Sequence, residues 1–131
     1  MEQKTSLIVR QGDAMTTYVN ANDVPVRKSG QIRLYDERGF AGMRAAGQVT
    51  AECLDLVGAL VKPGVTTQEL DDFIFQFALD NNSVAATLNY RGYTHASCIS
   101  LNHVVCHGIP DDKALKDGDI LNIDVTLIVD G

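Results

Sequence analysis

Asp124 is a carboxylate in the middle of an apolar run, GDILNIDVTLIVDG, residues 118–131. Read in twos, Leu121, Ile123, Val125, Leu127 and Val129 share one face of a strand. Asn122, Asp124, Thr126 and Ile128 share the other. An ionised acid on such a strand is costly to bury alone. It can face solvent, pair with a Lys or Arg, or bind a metal whose charge compensates it. Spacing leaves all three open. Asp130-Gly131 is a hairpin-turn signal.

A second group lies in VVCHGIPDD, residues 104–112. His107 sits where a strand meets a glycine-containing loop, a common place for binding and catalytic groups. A loop histidine satisfied by backbone is the plainer alternative. Cys106 and His107 are adjacent, so on a strand they point to opposite faces and form no nucleophile–base couple. Cys98 with His107 stays geometrically open. His95 and His103 read as surface or structural residues. A third group is NYRGYTHASC, residues 89–98. Tyr90, Tyr93 and Cys98 supply two rings and a polarizable sulfur, which suit a small apolar pocket for a thioether side chain. Core packing would use the same residues. No nucleophile elbow, phosphate loop, dinucleotide fingerprint or zinc-helix motif occurs.

The elements that must position these groups follow from periodicity. From Asp36 onward, Phe40, Met43, Ala46, Thr50, Cys53, Leu54, Val57 and Leu60 recur at three- and four-residue steps, an amphipathic helix ending at Pro63-Gly64. Gly42, Ala45, Ala46 and Gly47 predict close packing against a neighbour, because a helix-interior glycine otherwise costs about 1 kcal/mol against alanine. Thr66-Thr67-Gln68-Glu69 is a capping box opening a second helix, with Leu70, Phe73, Ile74 and Phe77 as its inner face. Asp71 and Asp72 lie near its positive end. Asp80-Asn81-Asn82-Ser83 ends it. Ile99 to Val105 reads as a strand, and residues 108–112 and 116–119 as turns. Before the helices, Ser6–Arg10 reads as a short strand and Asn20–Gly30 as a loop. The order predicts an α+β fold, two helices packed on a mostly antiparallel sheet.

Composition narrows the class. The 131 residues are 45% hydrophobic and 21% charged, enough to form a core. A net charge of −6 argues against direct nucleic-acid binding and against an anionic membrane partner. No apolar run is long enough for a membrane-spanning helix, and MEQKTSLIVRQGD is not expected to be a secretory signal. Cys53, Cys98 and Cys106 form no C-x-x-C pair, which predicts a reducing cytoplasm and no structural zinc.

The run from Asn89 to Gly131 carries a long, distinctive pattern: CHGIPDD followed by LKDGDILNIDVT. It resembles the bacterial type I methionine aminopeptidases, and YDERGFAGMRAAGQVTAECLDL and VKPGVTTQELDDF agree. The resemblance covers residues 32–131 and leaves 1–31 as a variable N-terminal extension. It implies the N-terminal half of a pita-bread catalytic domain, ending in the metal-site hairpin. The implied activity is metal-dependent removal of the initiator methionine from nascent polypeptides near the ribosome. Two divalent ions would serve it, drawn from cobalt, manganese, iron or zinc. His107 matches the family's loop histidine, which contacts substrate and stabilises the transition state. Asp124 matches the first metal-ligand aspartate. Tyr90, Tyr93 and Cys98 match the methionine pocket. Thr87 stands where a cysteine is common, and His103 where an acid is. The remaining ligands would lie beyond Gly131. The chain alone is therefore expected to bind metal weakly and to be inactive. It would also expose a sheet edge for the missing half or a second copy to cover. The alternative is a non-catalytic binding or interaction module that keeps the half-fold and pocket without the metal centre.

Overall fold

The structure is a computed structural model, and it describes residues 8–11, 14–24, 26 and 28–131. It forms two compact units, one up to Met43 and one from Arg44. In the first, β1 (Ile8–Gln11) pairs antiparallel with β2 (Ala14–Asn20), and β2 pairs parallel with β3 (Gln31–Leu34). The expected strand at Ser6–Arg10 is met from Ile8 on; Ser6 and Leu7 lie outside the described residues. Strands β2 and β3 were not legible. The parallel pairing that defines them joins segments separated by the expected loop.

Asp36 starts helix α1 (Glu37–Leu60), its Oδ1 accepting the N–H groups of Arg38 at 3.1 Å and Gly39 at 3.2 Å. The expected inner face is only partly used. Cys53 and Val57 are buried, whereas Phe40 and Met43 are exposed. Burial pushes the Cys53 thiol up to about 11, so this sulfur packs rather than reacts. The close packing expected of Gly42 and Gly47 is not found. A methyl group built at either meets nothing within 4 Å among the described residues.

Helix α2 (Thr67–Asp80) forms as expected. The Thr66 side chain accepts from the Glu69 N–H at 3.0 Å, and the Glu69 carboxylate accepts from the Thr66 N–H at 2.7 Å. Leu70, Ile74 and Phe77 are buried, and Phe73 packs against them. Asn81 ends the helix, its Nδ2 donating to the Phe77 carbonyl at 2.9 Å.

The remaining strands pair as two short antiparallel ribbons rather than one sheet. Strand β4 (Ser83–Ala85) pairs with β7 (Leu127–Val129), and β5 (Ser97–Leu101) with β6 (Leu121–Val125). Helix α2 packs on β4 and β5. The expected long closing strand thus changes partners at Thr126, whose carbonyl accepts from Ala86 N–H at 2.9 Å. Its alternation survives the change, because Asp124, Thr126 and Ile128 stay exposed while Val125, Leu127 and Val129 turn inward. The strand expected at Ile99–Val105 stops at Leu101. Asn102 is left-handed (φ 51), and its side chain ties to Asp119 at 2.8 Å and to the Ile120 N–H at 3.1 Å, turning the chain away. No described helix is long and apolar enough to cross a membrane.

Three surface carboxylates that accept backbone N–H bonds sit below their ordinary values, which are 3.8 for Asp36 and Asp119 and 4.5 for Glu69. Backbone donors hold down Asp36 and Glu69, while the Asn102 amide is foremost at Asp119. A depressed folded value stabilises the fold above the unfolded value, and that stability is lost as pH falls through the folded one. Urea midpoints should therefore decline once the pH drops below about 4.5. Glu69→Gln, which keeps an acceptor but removes the charge, should lower the midpoint at neutral pH and leave it little changed at acid pH, so that the acid limb flattens. An unchanged acid limb would refute the assignment.

Candidate functional site

A cleft of about 540 Å³ opens in the unit from Arg44. That is within the roughly 300–1,000 Å³ of small-ligand sites. Its walls come from three stretches: the β4–β5 connection (Thr87, Tyr90, Arg91, Gly92, Tyr93), the β5–β6 pair with the residue that follows it (Cys98, Asp124, Thr126) and the loop carrying His107 and Ile109. All five residues singled out in the sequence, Tyr90, Tyr93, Cys98, His107 and Asp124, line this one cleft.

Strand register places Asp124. Cys98 and Asp124 are direct cross-strand partners, so their side chains share the cleft face while Ile99 and Ile123 turn to the core. The β4–β5 connection is held by side chains. The Tyr93 hydroxyl donates to the Ser97 carbonyl at 2.8 Å, and Thr87 Oγ1 donates to the His95 carbonyl at 2.8 Å. Burial, with Cys98 adjoining, raises the Tyr93 phenol well above its ordinary value. His95 is structural, as expected: its ring bonds Gln68 at 3.1 Å and Thr94 at 3.2 Å. His103 is exposed and borders a separate small hollow.

His107 is exposed and left-handed, φ 53. Non-glycine residues seldom hold such backbone unless neighbours impose it. Gly108 imposes it here. Its carbonyl accepts from the Ile99 N–H at 2.9 Å and its N–H donates to Ser100 Oγ at 3.1 Å, clamping the loop edge-on to β5. Further along, Asp111 locks the loop to the start of α2. Gln68 N–H donates to the Asp111 carbonyl at 2.8 Å, and Asp111 N–H donates to Thr67 Oγ1 at 2.9 Å. Cys106 lies in a bend and His107 follows it outside any strand, so opposite-face geometry does not describe them.

Sequence reasoning missed three contributors. Arg91 lines the cleft; nothing in its type or spacing marks it. Gly108 reads as an ordinary loop glycine. Asp71, assigned to the helix dipole, is buried instead. It accepts from Ser97 Oγ at 2.6 Å, Ser97 N–H at 2.8 Å and Ala96 N–H at 3.2 Å, pinning the start of β5 beside the cleft. A signal existed: Thr67, Asp71, Ile74 and Ala78 fall on one helical stripe, and all four are buried.

A metal centre makes a specific demand. Two ions ~3.5–4 Å apart need several carboxylates and an imidazole. The cleft offers Asp124 as its one carboxylate. Among the described residues no three of His, Cys, Asp and Glu are grouped so as to hold a metal. The residues present do not amount to such a centre.

The profile of metallopeptidase family M24 matches residues 41–131. The methionine aminopeptidase of Rickettsia prowazekii is 53% identical over 100 residues, 76% of this chain and 39% of that protein. That of Escherichia coli K12 is 55% identical over 91 residues, 68% of this chain and 34% of that protein. The crystal structure of the Rickettsia prowazekii enzyme superposes with a TM-score of 0.74 at 52% identity, covering 76% of this chain and 40% of that one. The Thermotoga maritima methionine aminopeptidase gives 0.72 at 30% identity, with the same coverage. The chain spans about two-fifths or less of the length of these relatives. Its architecture is accordingly the α+β portion of the pita-bread fold. With its profile matched over most of the sequence and its fold shared, the chain belongs to metallopeptidase family M24.

Proposed function

We propose that this chain forms the substrate-recognition side of an aminopeptidase that removes the initiator methionine from nascent polypeptides in the cytoplasm, near the ribosome. The observation that carries the reading is the convergence of Tyr90, Tyr93, Cys98, His107 and Asp124, spread over 35 residues of sequence, on one cleft. The tyrosine rings and the Cys98 sulfur receive the thioether side chain. His107 hydrogen-bonds the peptide at the first bond, orienting it and stabilising charge that develops on its carbonyl. Asp124 contributes one carboxylate to a site for two divalent ions, whose chemistry when bound is to activate water and polarise that carbonyl. The other ligands come from outside these 131 residues, and residues 1–31 are a variable N-terminal extension of the catalytic domain.

Two measurements on the chain test this. Methionyl-alanyl-serine should shift the NMR signals of Tyr90, Tyr93 and Cys98, and glycyl-alanyl-serine should not. With added cobalt or manganese the chain should release no methionine. Equal response to both peptides would remove the methionine assignment, and robust turnover would refute the incomplete centre. The absence of a ligand cluster among the described residues favours one second reading, a non-catalytic module that binds N-terminal methionine. It predicts the same selectivity, with no activity restored when the rest of a family member's catalytic domain is supplied.

A further inference from the structure

Arg91 lines the cleft between Tyr90 and Gly92 and takes no part in the reading above. Its backbone is left-handed, φ 50 and ψ 33, a region that long side chains rarely occupy. Glycine would adopt it freely, yet an arginine stands there. Its guanidinium carbon lies 5.5 Å from the centre of the Tyr90 ring, a cation–π distance. Both groups are exposed, so the contact does not build the core. It parks a positive charge on a ring that belongs to the cleft.

The charge pattern gives this position its meaning. The protein carries a net −6, and Asp124 adds a carboxylate to the cleft itself. An anionic peptide is repelled by both. Among the lining residues Arg91 is the one permanent cation. A peptide whose first side chain sits against Tyr90 and Tyr93 must continue past this rim, where a guanidinium offers paired donors to a carboxylate.

We propose that Arg91 is a specificity-determining residue that favours methionyl peptides bearing acidic residues in the first positions after the methionine and its neighbour. This rests on the aminopeptidase reading above. The strained backbone is retained because it aims the cation at the passing chain.

Three C-terminally amidated peptides test it by NMR titration of the 131-residue chain: Met-Ala-Asp-Glu-Ser, Met-Ala-Asn-Gln-Ser and Gly-Ala-Asp-Glu-Ser. The acidic methionyl peptide should bind about fivefold tighter than its amide counterpart, the scale of a partly exposed ion pair. The preference should fade in about 0.5 M salt. Arg91→Lys should keep most of it and Arg91→Gly should abolish it. Arg91→Gly should also melt no lower than the parent, since it relieves the left-handed strain, and that separates selectivity from folding. Equal affinities for the two methionyl peptides in the parent chain, or a preference surviving in Arg91→Gly, would overturn the proposal. Binding of the glycyl peptide as tightly as its methionyl twin would instead overturn the methionine pocket. No binding of any peptide would overturn both.

Discussion

Asp71→Ala should cost about 3–5 kcal/mol of folding free energy, since each buried donor left without its partner costs roughly 1–3 kcal/mol. Three donors lose their acceptor at once: the N–H groups of Ala96 and Ser97, and the Ser97 hydroxyl. Ser97 is fully buried, and Asp71 is 4% exposed, so water does not readily replace the carboxylate. Asp71→Asn should be only a partial remedy, because its amide nitrogen would point donors at donors. Asp72→Ala is the control. Asp72 is exposed and accepts one bond from Gln68 Nε2, so its loss should stay within about 0.5 kcal/mol. Urea denaturation followed by circular dichroism measures all three. Equal midpoints for Asp71→Ala and Asp72→Ala would show that the buried network is not what holds β5 to α2. The cleft should weaken with it, since Tyr93 bonds to the carbonyl of Ser97.

Gly108→Ala should detach the His107 loop without unfolding the protein. A methyl group there would overlap the Ile99 carbonyl oxygen and lie 2.8 Å from Ser100 Cα. Both obstacles are backbone of a buried strand, which cannot move aside as a flexible side chain would. The loop must therefore shift and give up the Ile99 N–H to Gly108 carbonyl bond. Overpacking of this kind typically costs about 1–3 kcal/mol. Methionyl peptide affinity should fall at least about tenfold, which corresponds to some 1.4 kcal/mol of lost positioning. Hydrogen exchange at the Ile99 amide reads the local event directly. Unchanged protection there would mean that the glycine is not required for steric reasons.

These two residues mark the limit of what residue order reveals. Glu69 declares its role locally: it stands three residues from Thr66, and the capping box closes within one turn. The alternation from Leu121 to Val129 is equally local and survives a change of sheet partner. Gly108 declares nothing, because what a methyl would strike is a strand earlier in the chain and already paired elsewhere. Asp71 misleads, because an acid in the first turns of a helix has an adequate explanation in the helix dipole until Ser97 arrives 26 residues later. The α1 glycines err the other way: a packing role was expected, and open space surrounds them.

The site divides along the same line. The five candidate residues stand out in motif text, and the fold brings all of them to one cleft. Arg91 escaped because a side chain's aim depends on a left-handed backbone angle that arginine seldom adopts. Residue order settles interactions that close within a few positions: turn chemistry, caps, and the faces of helix and strand. Which acid is buried, which glycine is clamped and which cation meets the cleft depend on partners brought together across the fold. Those contacts form only when the strands find their register and the loop is pressed against β5.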